Sequence, residues 1–210
     1  MLCSSCTQLE SGKAEDVQCT PMAFPAKTDS RKILDAAMIL LSREGLRGMS
    51  LRAVAVSLKI APNAIYRYFN DHAHLEAAVG AEVCRRLHAV LRKAAHGREP
   101  EAAVRAIAKA YLKFARENEL LYEALLIPRP AAGDEAIDPE QLWLFVVGQA
   151  ARLAGEARAA EAAVSLWAFL HGMAALQSAQ LLGAEKPVSS FDFGLNAWLS
   201  AVRESRPPEA

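Results

Sequence analysis

The sequence is poor in the residues that build sheets and phosphate-binding loops. Threonine occurs only at positions 7, 20 and 28, and no alternating run of β-branched residues is present. The 11 glycines are scattered, so no glycine-rich loop that could cradle a phosphate is evident. Alanine, the best helix former, supplies 42 of the 210 residues. The composition therefore excludes an all-β fold, disfavours an α/β fold and predicts an all-α protein.

Cysteine is also scarce, with four residues in the chain. A helical chain of this length with so few cysteines is not a disulfide scaffold. Cys3 and Cys6 have the spacing of two zinc ligands, but no second pair follows them and the nearest histidine is His72. We therefore expect a reduced, cytoplasmic protein that needs no metal or other cofactor.

Charge is absent only on balance, because the net charge of zero conceals an uneven distribution. Residues 27–96 carry 12 basic and 6 acidic side chains, whereas residues 97–210 carry 11 basic and 15 acidic ones. A basic segment joined to an acidic one suggests that the first segment binds an anion and the second does not.

No stretch of the sequence has the pattern of a signal peptide. Residues 1–26 are mostly polar and are predicted to form a disordered extension, with Met22 as an alternative start of the native chain. The uncharged stretch Ala162–Ala184 is long enough to span a bilayer, but it contains serine, histidine and glutamine and its flanks lack a positive bias. We expect this stretch to be buried in a helical bundle or a dimer interface, without a membrane.

Apolar residues recur at helical spacing along most of the chain and predict about nine helices. A break at Gly97–Pro100 separates four helices from the rest. The predicted helices cover residues 29–44, 51–58, 62–69, 72–96, 101–117, 119–126, 139–155, 156–183 and 191–203.

The second and third helices form a predicted helix-turn-helix, because both are short and only Lys59-Ile60-Ala61 separates them. Ser50 is a typical N-cap for the first of the pair. Ala55 supplies the small residue needed where the two helices approach each other. Ile65 and Phe69 supply apolar anchors that hold the second helix against the rest.

The other side of that second helix carries residues suited to DNA. Asparagine can pair with an adenine edge through two hydrogen bonds, and alanine can contact a thymine methyl group. Tyrosine hydroxyls and arginine suit phosphate oxygens, which position a helix without reading sequence. The side chains in question are Asn63, Ala64, Tyr66, Arg67 and Tyr68. They predict a helix that enters the major groove.

Several motifs lie at a recognisable spacing: Ile33-Leu34-Asp35-Ala36-Ala37, Glu44-Gly45, Met49-Ser50-Leu51-Arg52-Ala53-Val54-Ala55, Pro62-Asn63-Ala64-Ile65-Tyr66-Arg67-Tyr68-Phe69, and Leu75. With this spacing, residues 29–76 resemble the N-terminal domain of the tetracycline-repressor (TetR) family. The resemblance implies an all-helical homodimer whose three-helix head binds operator DNA and whose larger body binds a small effector. By position it implies DNA contacts from Ser50, Arg52, Lys59, Pro62, Asn63, Ala64, Tyr66, Arg67, Tyr68 and His72.

Two of these positions depart from the family pattern. Lys59 stands where a glycine usually ends the second helix, so a left-handed backbone there would cost roughly 1 kcal/mol. His72 stands where family members commonly have a lysine that contacts a phosphate. Histidine is largely neutral at pH 7, so this contact would be weaker and dependent on pH.

The second half of the chain resembles one subgroup of the family, through Trp167-Ala-Phe-Leu-His171-Gly172 with Leu176 and through Phe191-Asp-Phe-Gly194-Leu195. The resemblance implies that the last two long helices pair with their copies in a dimer. Aromatic, histidine and methionine side chains of this half either belong to the core or line an effector pocket. The pocket candidates are Tyr111, Trp143, Trp167, His171 and Met173.

These observations divide the chain into an extension (1–26), a helix-turn-helix domain (27–76), a connecting helix (77–96) and an effector-binding and dimerisation domain (97–206). We predict a ligand-controlled transcriptional repressor that binds a pseudo-palindromic operator and is not an enzyme. The alternative, a small helical enzyme that uses Cys84 or His171, lacks a nucleophile elbow and a metal-binding motif.

Overall fold

A computed structural model of the chain describes residues 28–126, 139–181 and 187–204, and within them all regular structure is helical, as predicted. The extension 1–26 and the proline- and glycine-containing loop before residue 139 lie outside these residues. The helices are α1 (Ser30–Gly48), α2 (Leu51–Leu58), α3 (Pro62–Ile65), α4 (His72–Ala95), α5 (Pro100–Glu117), α6 (Glu119–Glu123), α7 (Pro139–Ala154), α8 (Ala159–Ser178) and α9 (Pro187–Glu204).

The first helix begins as predicted and ends later than predicted. The Asp29 side chain accepts a hydrogen bond from the backbone N–H of Lys32, which caps the helix. Gly45 has the expected positive φ, of 69°, but the chain then makes one further helical turn to Gly48. The predicted end at Glu44 is therefore a kink, where glycine permits a backbone that other residues rarely adopt.

The helix-turn-helix is built as the sequence predicts. Ser50 Oγ accepts a hydrogen bond of 3.1 Å from the backbone N–H of Ala53 and caps α2. Ala55 and Ile65 are fully buried at the crossing of α2 and α3, and Phe69 is buried beside them. These contacts fix α3 rigidly to the head, although α3 itself has only four residues.

Two predicted helices were too long. The segment predicted as residues 62–69 is α-helical only to Ile65, after which residues 66–68 form a turn. The segment predicted as residues 156–183 begins with a 3-10 turn at Glu156–Arg158, and its helix ends at Ser178. Backbone geometry explains the second end, because Gln180 has a positive φ of 54° that closes a helix.

Helix α4 leaves the head and packs against α5 and α7, and α8 packs against α5, α7 and α9. The segment Glu156–Ser178 is the one stretch within the described residues that is long and apolar enough to cross a membrane. Its buried residues contribute to the common core, which includes Leu166, Leu170 and Met173. This packing is what a core helix of a bundle requires.

Glu82 on α4 forms an ion network at the junction between the head and the body. Its side chain is almost completely buried and accepts hydrogen bonds from Arg85 at 2.7 Å, Arg86 at 3.1 Å and Arg31 of α1 at 3.5 Å. The hydrogen bond from Arg85, together with Arg86 and the nearby positive charges, lowers the pKa of Glu82 to about 2. The network therefore joins α1 to α4 through one buried carboxylate.

Replacing Lys59 with glycine is expected to raise the free energy of unfolding by about 0.5–1 kcal/mol. Lys59 has φ 54° and ψ 42°, and a left-handed backbone strains any residue with a Cβ. The relief is partly offset because glycine is more flexible in the unfolded chain. Chemical denaturation measures the change. Gln180→Gly, at the same φ in the body, is the matched control and should stabilise by a similar amount. A loss of stability in Lys59→Gly alone would show that the lysine side chain outweighs the strain.

Candidate nucleic-acid interface and ligand cavity

The side of α3 that faces away from the core carries an exposed polar surface. Pro62 and Asn63 open the helix, and Tyr66 and Arg67 follow in the turn after it, all four exposed. Ala64 is half-buried beside them. We call these five residues, Pro62, Asn63, Ala64, Tyr66 and Arg67, the recognition surface. The α2 and turn residues predicted to contact DNA are also accessible: Arg52 and Lys59 are exposed, and Ser50 is half-buried.

Tyr68 differs from the rest of the predicted DNA contacts. It is half-buried, and its hydroxyl donates a hydrogen bond of 2.9 Å to the backbone carbonyl of Thr28, just before α1. The single hydroxyl proton is thus used to hold the turn after α3 against the start of the head. A phosphate contact by Tyr68 requires that hydrogen bond to break, and it stays a prediction.

His72 is also engaged within the head. Its Nε2 lies 2.7 Å from the carbonyl oxygen of Met49, and its Nδ1 lies 3.4 Å from Glu76. The first contact fixes the residue that directly precedes the Ser50 cap, so His72 holds the start of α2 in place. The predicted phosphate contact by His72 remains untested, and it would compete with these two partners.

The body contains an apolar cavity between α4, α5, α7 and α8. Its volume of about 20 Å³ is room for little more than one water molecule. Tyr111 and Trp167 line it at one side. The remaining lining residues are aliphatic: Leu87, Leu91, Ile107, Leu142, Val146, Leu166 and Leu170.

A hydrogen-bonded cluster of Tyr111, Tyr122 and His171 lies beside the cavity. The two tyrosine hydroxyls are 3.0 Å apart, the Tyr111 hydroxyl is 3.1 Å from His171 Nδ1, and the Tyr122 hydroxyl bonds the same nitrogen. Burial raises the pKa of both tyrosines and lowers the pKa of His171. All three groups are therefore neutral near pH 7, and the cluster offers hydrogen bonds without charge.

The structure brings together three of the five predicted pocket residues. Tyr111 and Trp167 line the cavity, and His171 stacks on Trp167 with ring centroids 5.7 Å apart. Trp143 packs on the outer side of Trp167, and Met173 is buried in the core outside the cavity lining. Sequence reasoning missed Tyr122 and the aliphatic lining, which no motif distinguishes from ordinary core residues.

Helix α6 connects this cluster to the head. It carries Tyr122, and its Leu120 side chain packs on the kink of α1, where a Cβ added to Gly45 would lie 3.3 Å from Leu120 Cδ2. A change in the hydrogen bonds of Tyr122 therefore has a short packed route to α1. From α1 the route continues to α2 and α4, against which α1 packs.

Two family models match this chain. The one described as "Bacterial regulatory proteins, tetR family" matches residues 33–79, and the one described as "Tetracyclin repressor-like, C-terminal domain" matches residues 104–197. The two matches do not overlap, and together they include the recognition surface and most of the cavity. The second description does not name the subgroup that the Trp167–Gly172 motif resembles, which stays a prediction.

Similar curated proteins are described as transcriptional regulators. The chain is 29% identical over 97 residues to the uncharacterized HTH-type transcriptional regulator YobS of Bacillus subtilis, covering 46% of this chain and 51% of that protein. It is 32% identical over 96 residues to the HTH-type transcriptional repressor KstR of Mycobacterium tuberculosis, covering 45% of this chain and 44% of that protein. The chain thus spans about half the length of the curated relatives it matches.

Solved structures share the fold over most of their length. The transcriptional regulator SCO7222, a TetR from Streptomyces coelicolor, aligns with a TM-score of 0.69 at 21% identity, over 86% of this chain and 100% of that one. A TetR variant from Acinetobacter baumannii in complex with minocycline aligns with a TM-score of 0.63 at 18% identity, over 86% and 99%. At this level of identity the likeness establishes the all-helical fold.

Proposed function

We propose, because this chain belongs to the TetR family of bacterial regulatory proteins, that it is a DNA-binding transcriptional regulator and acts as a repressor. The observation that carries the proposal is the recognition surface. Asn63, Tyr66 and Arg67 are exposed on an element whose other side is fixed by the fully buried Ile65. A rigid helix of this kind fits the major groove, where its first residues reach base edges.

The roles within the recognition surface follow from side-chain chemistry. Asn63 is proposed to read a base edge, and Ala64 and Pro62 to pack in the groove. Arg67 and Tyr66 are proposed to bind phosphates, with Ser50, Arg52 and Lys59 adding contacts from α2 and the turn. Tyr68 and His72 are proposed to act first through the head, by holding the positions of α3 and α2.

A homodimer is proposed to present two copies of this surface to one operator. Apolar side chains of the last two long helices are exposed, namely Val164 and Leu176 on α8 and Phe193 on α9. A second copy of the chain packed on α8 and α9 would bury them. Two heads placed about 34–36 Å apart engage successive major grooves, which makes the operator pseudo-palindromic.

Release by a small effector is the proposed control, and the cavity beside Tyr111 is its proposed site. A ligand shifts the equilibrium between two head arrangements only if it binds one of them better than the other. The packed route from Tyr111 through Tyr122 on α6 to Gly45 on α1 supports such coupling. We propose that the protein works in the cytoplasm as a regulator without enzymatic activity.

The proposed function is tested by selecting genomic DNA fragments with the purified full-length protein. The expected result is enrichment of a small set of fragments that share a pseudo-palindromic sequence. Adding extracts of host metabolites to the recovered complexes is expected to release the DNA. Recovery of fragments in proportion to their abundance, with no shared sequence, would contradict the proposal.

Replacing Arg67 with alanine is expected to weaken binding to every DNA sequence. If Arg67 binds one phosphate, the slope of log K against log salt should become less steep by about 0.9, because one fewer counterion is released. Titrations at several salt concentrations measure the slope. Arg116→Ala, which removes an exposed arginine from α5 in the body, is the matched control and should leave the slope unchanged. An unchanged slope in Arg67→Ala would exclude the phosphate role.

A further inference from the structure

The chemistry of the cavity lining restricts what can bind there. No acidic or basic side chain is among the described residues that line it. A charged group taken from water into such a site loses its hydration and finds no counter-charge. The cavity is therefore built for a neutral, mostly apolar molecule.

One polar atom at the cavity wall has no partner. Trp167 Nε1 is buried and makes no hydrogen bond, while Trp167 itself lines the cavity. Its N–H lies near the Tyr111 hydroxyl, whose pKa it lowers, without forming a hydrogen bond to it. By contrast, Trp198 Nε1, on α9, donates to Ser165 Oγ at 2.9 Å. A buried N–H without an acceptor is unfavourable, so the Trp167 site is completed by any occupant that brings one.

The neighbouring polar groups already satisfy one another. Tyr111, Tyr122 and His171 form a closed set of hydrogen bonds, which leaves the indole N–H as the donor in need of an acceptor. A carbonyl or ester oxygen accepts such a bond without bringing a charge or a second donor that the apolar lining would leave unpaired.

We propose that the effector is an uncharged molecule with an apolar body and a carbonyl-type oxygen that accepts a hydrogen bond from Trp167 Nε1. This inference rests on the proposed function, because it takes the cavity as the effector site. The small volume of the cavity means that the ligand enlarges it by moving aliphatic side chains. The ligand therefore binds the enlarged arrangement better than the closed one, as an effector must.

The test uses two probes of nearly the same shape, acetophenone and α-methylstyrene, which differ by an oxygen in place of a methylene group. Binding to the full-length protein is followed by NMR of the three indole N–H groups, and the Trp167 signal is identified by its loss in Trp167→Phe. One neutral hydrogen bond predicts that acetophenone binds about tenfold more tightly than α-methylstyrene. It also predicts that only acetophenone moves the Trp167 indole proton downfield.

Variants separate the hydrogen bond from general packing. Trp167→Phe keeps an aromatic ring and removes the N–H, so the tenfold preference should fall to about one. Trp198→Phe is the matched control, because its N–H bonds Ser165, and it should keep the preference. The downfield shift is measured in the unmodified protein and decides the question even if Trp167→Phe fails to fold.

Charged relatives of the same size complete the test. Benzoate and the 1-phenylethylammonium ion are expected to bind at least tenfold more weakly than acetophenone. Equal affinity for acetophenone and α-methylstyrene, tighter binding of either ion, or no binding of acetophenone up to its solubility limit would each overturn the inference. Selection of a specific operator by the same protein preparation would show in those cases that the proposed function stands and only the effector class is wrong.

Discussion

Glu82→Gln is expected to lower the free energy of unfolding by about 2 kcal/mol at pH 7, the scale of hydrogen bonds to charged groups. The wild-type carboxylate is buried among Arg31, Arg85 and Arg86, and glutamine keeps its shape while removing the charge. The glutamine amide also directs N–H groups toward arginines that donate and cannot accept. Urea denaturation monitored by circular dichroism measures the loss.

The same variant should change how stability depends on pH. The carboxyl has a pKa of 4.5 without these partners and about 2 in the folded protein, so folding favours its ionised form. Its stabilising contribution is complete above pH 4.5 and is lost as the pH falls through about 2. The wild type is therefore expected to lose stability more steeply than Glu82→Gln across that window, and the two curves should converge at low pH.

Glu117→Gln is the matched control for this experiment. Its carboxylate is exposed and lies 3.9 Å from Lys113, a pair of the kind that contributes about 0–1 kcal/mol. It should leave both the stability at pH 7 and the shape of the pH curve nearly unchanged. Equal effects of the two substitutions would mean that the buried network at the junction contributes no more than a surface ion pair.

Asn63→Ala is expected to weaken binding to the operator by about 1–3 kcal/mol and to leave binding to random DNA almost unchanged. Asn63 is exposed at the start of α3, where a side chain reaches base edges first. Loss of a base contact removes discrimination, whereas loss of a phosphate contact weakens all sequences alike. Parallel titrations of one operator and one scrambled duplex measure the two affinities and their ratio.

A second asparagine in the head provides the comparison. Asn70 is exposed and lies outside α3, just before α4. Asn70→Ala is expected to keep the ratio between operator and scrambled DNA even if it weakens both. A loss in Asn63→Ala that is equal on both duplexes would remove Asn63 from base readout and leave it as a positioning contact.

Local signals made most of the head predictable from sequence. The Ser50 cap and the apolar spacing of residues 51–58 define α2 without reference to the rest of the chain, and its predicted bounds are confirmed. The length of α3 was wrong because tertiary contacts end it: the Tyr68 hydroxyl bonds Thr28, and the buried Phe69 draws the chain inward. Neither contact has a signature in the local sequence.

The ligand cavity was only partly predictable. Tyr111, Trp167 and His171 stand out as aromatic or titratable groups in an apolar half of the chain, and the structure places them together. Tyr122 joins them from a short helix 49 residues before His171, a proximity that only the packing of α6 creates. The aliphatic lining residues have the same chemistry as the core, so spacing alone gives no reason to single them out.

The central claim is that two copies of the recognition surface bind one operator together. Hydroxyl-radical footprinting of the selected operator, with the protein-to-DNA stoichiometry measured on the same complex, tests it most directly. The account predicts two protein chains per duplex and two protected half-sites whose centres lie about 10 base pairs apart, or a multiple of that spacing, both lost together in Arg67→Ala. A single chain protecting one unrepeated stretch, or a footprint that survives Arg67→Ala and Asn63→Ala combined, would contradict it.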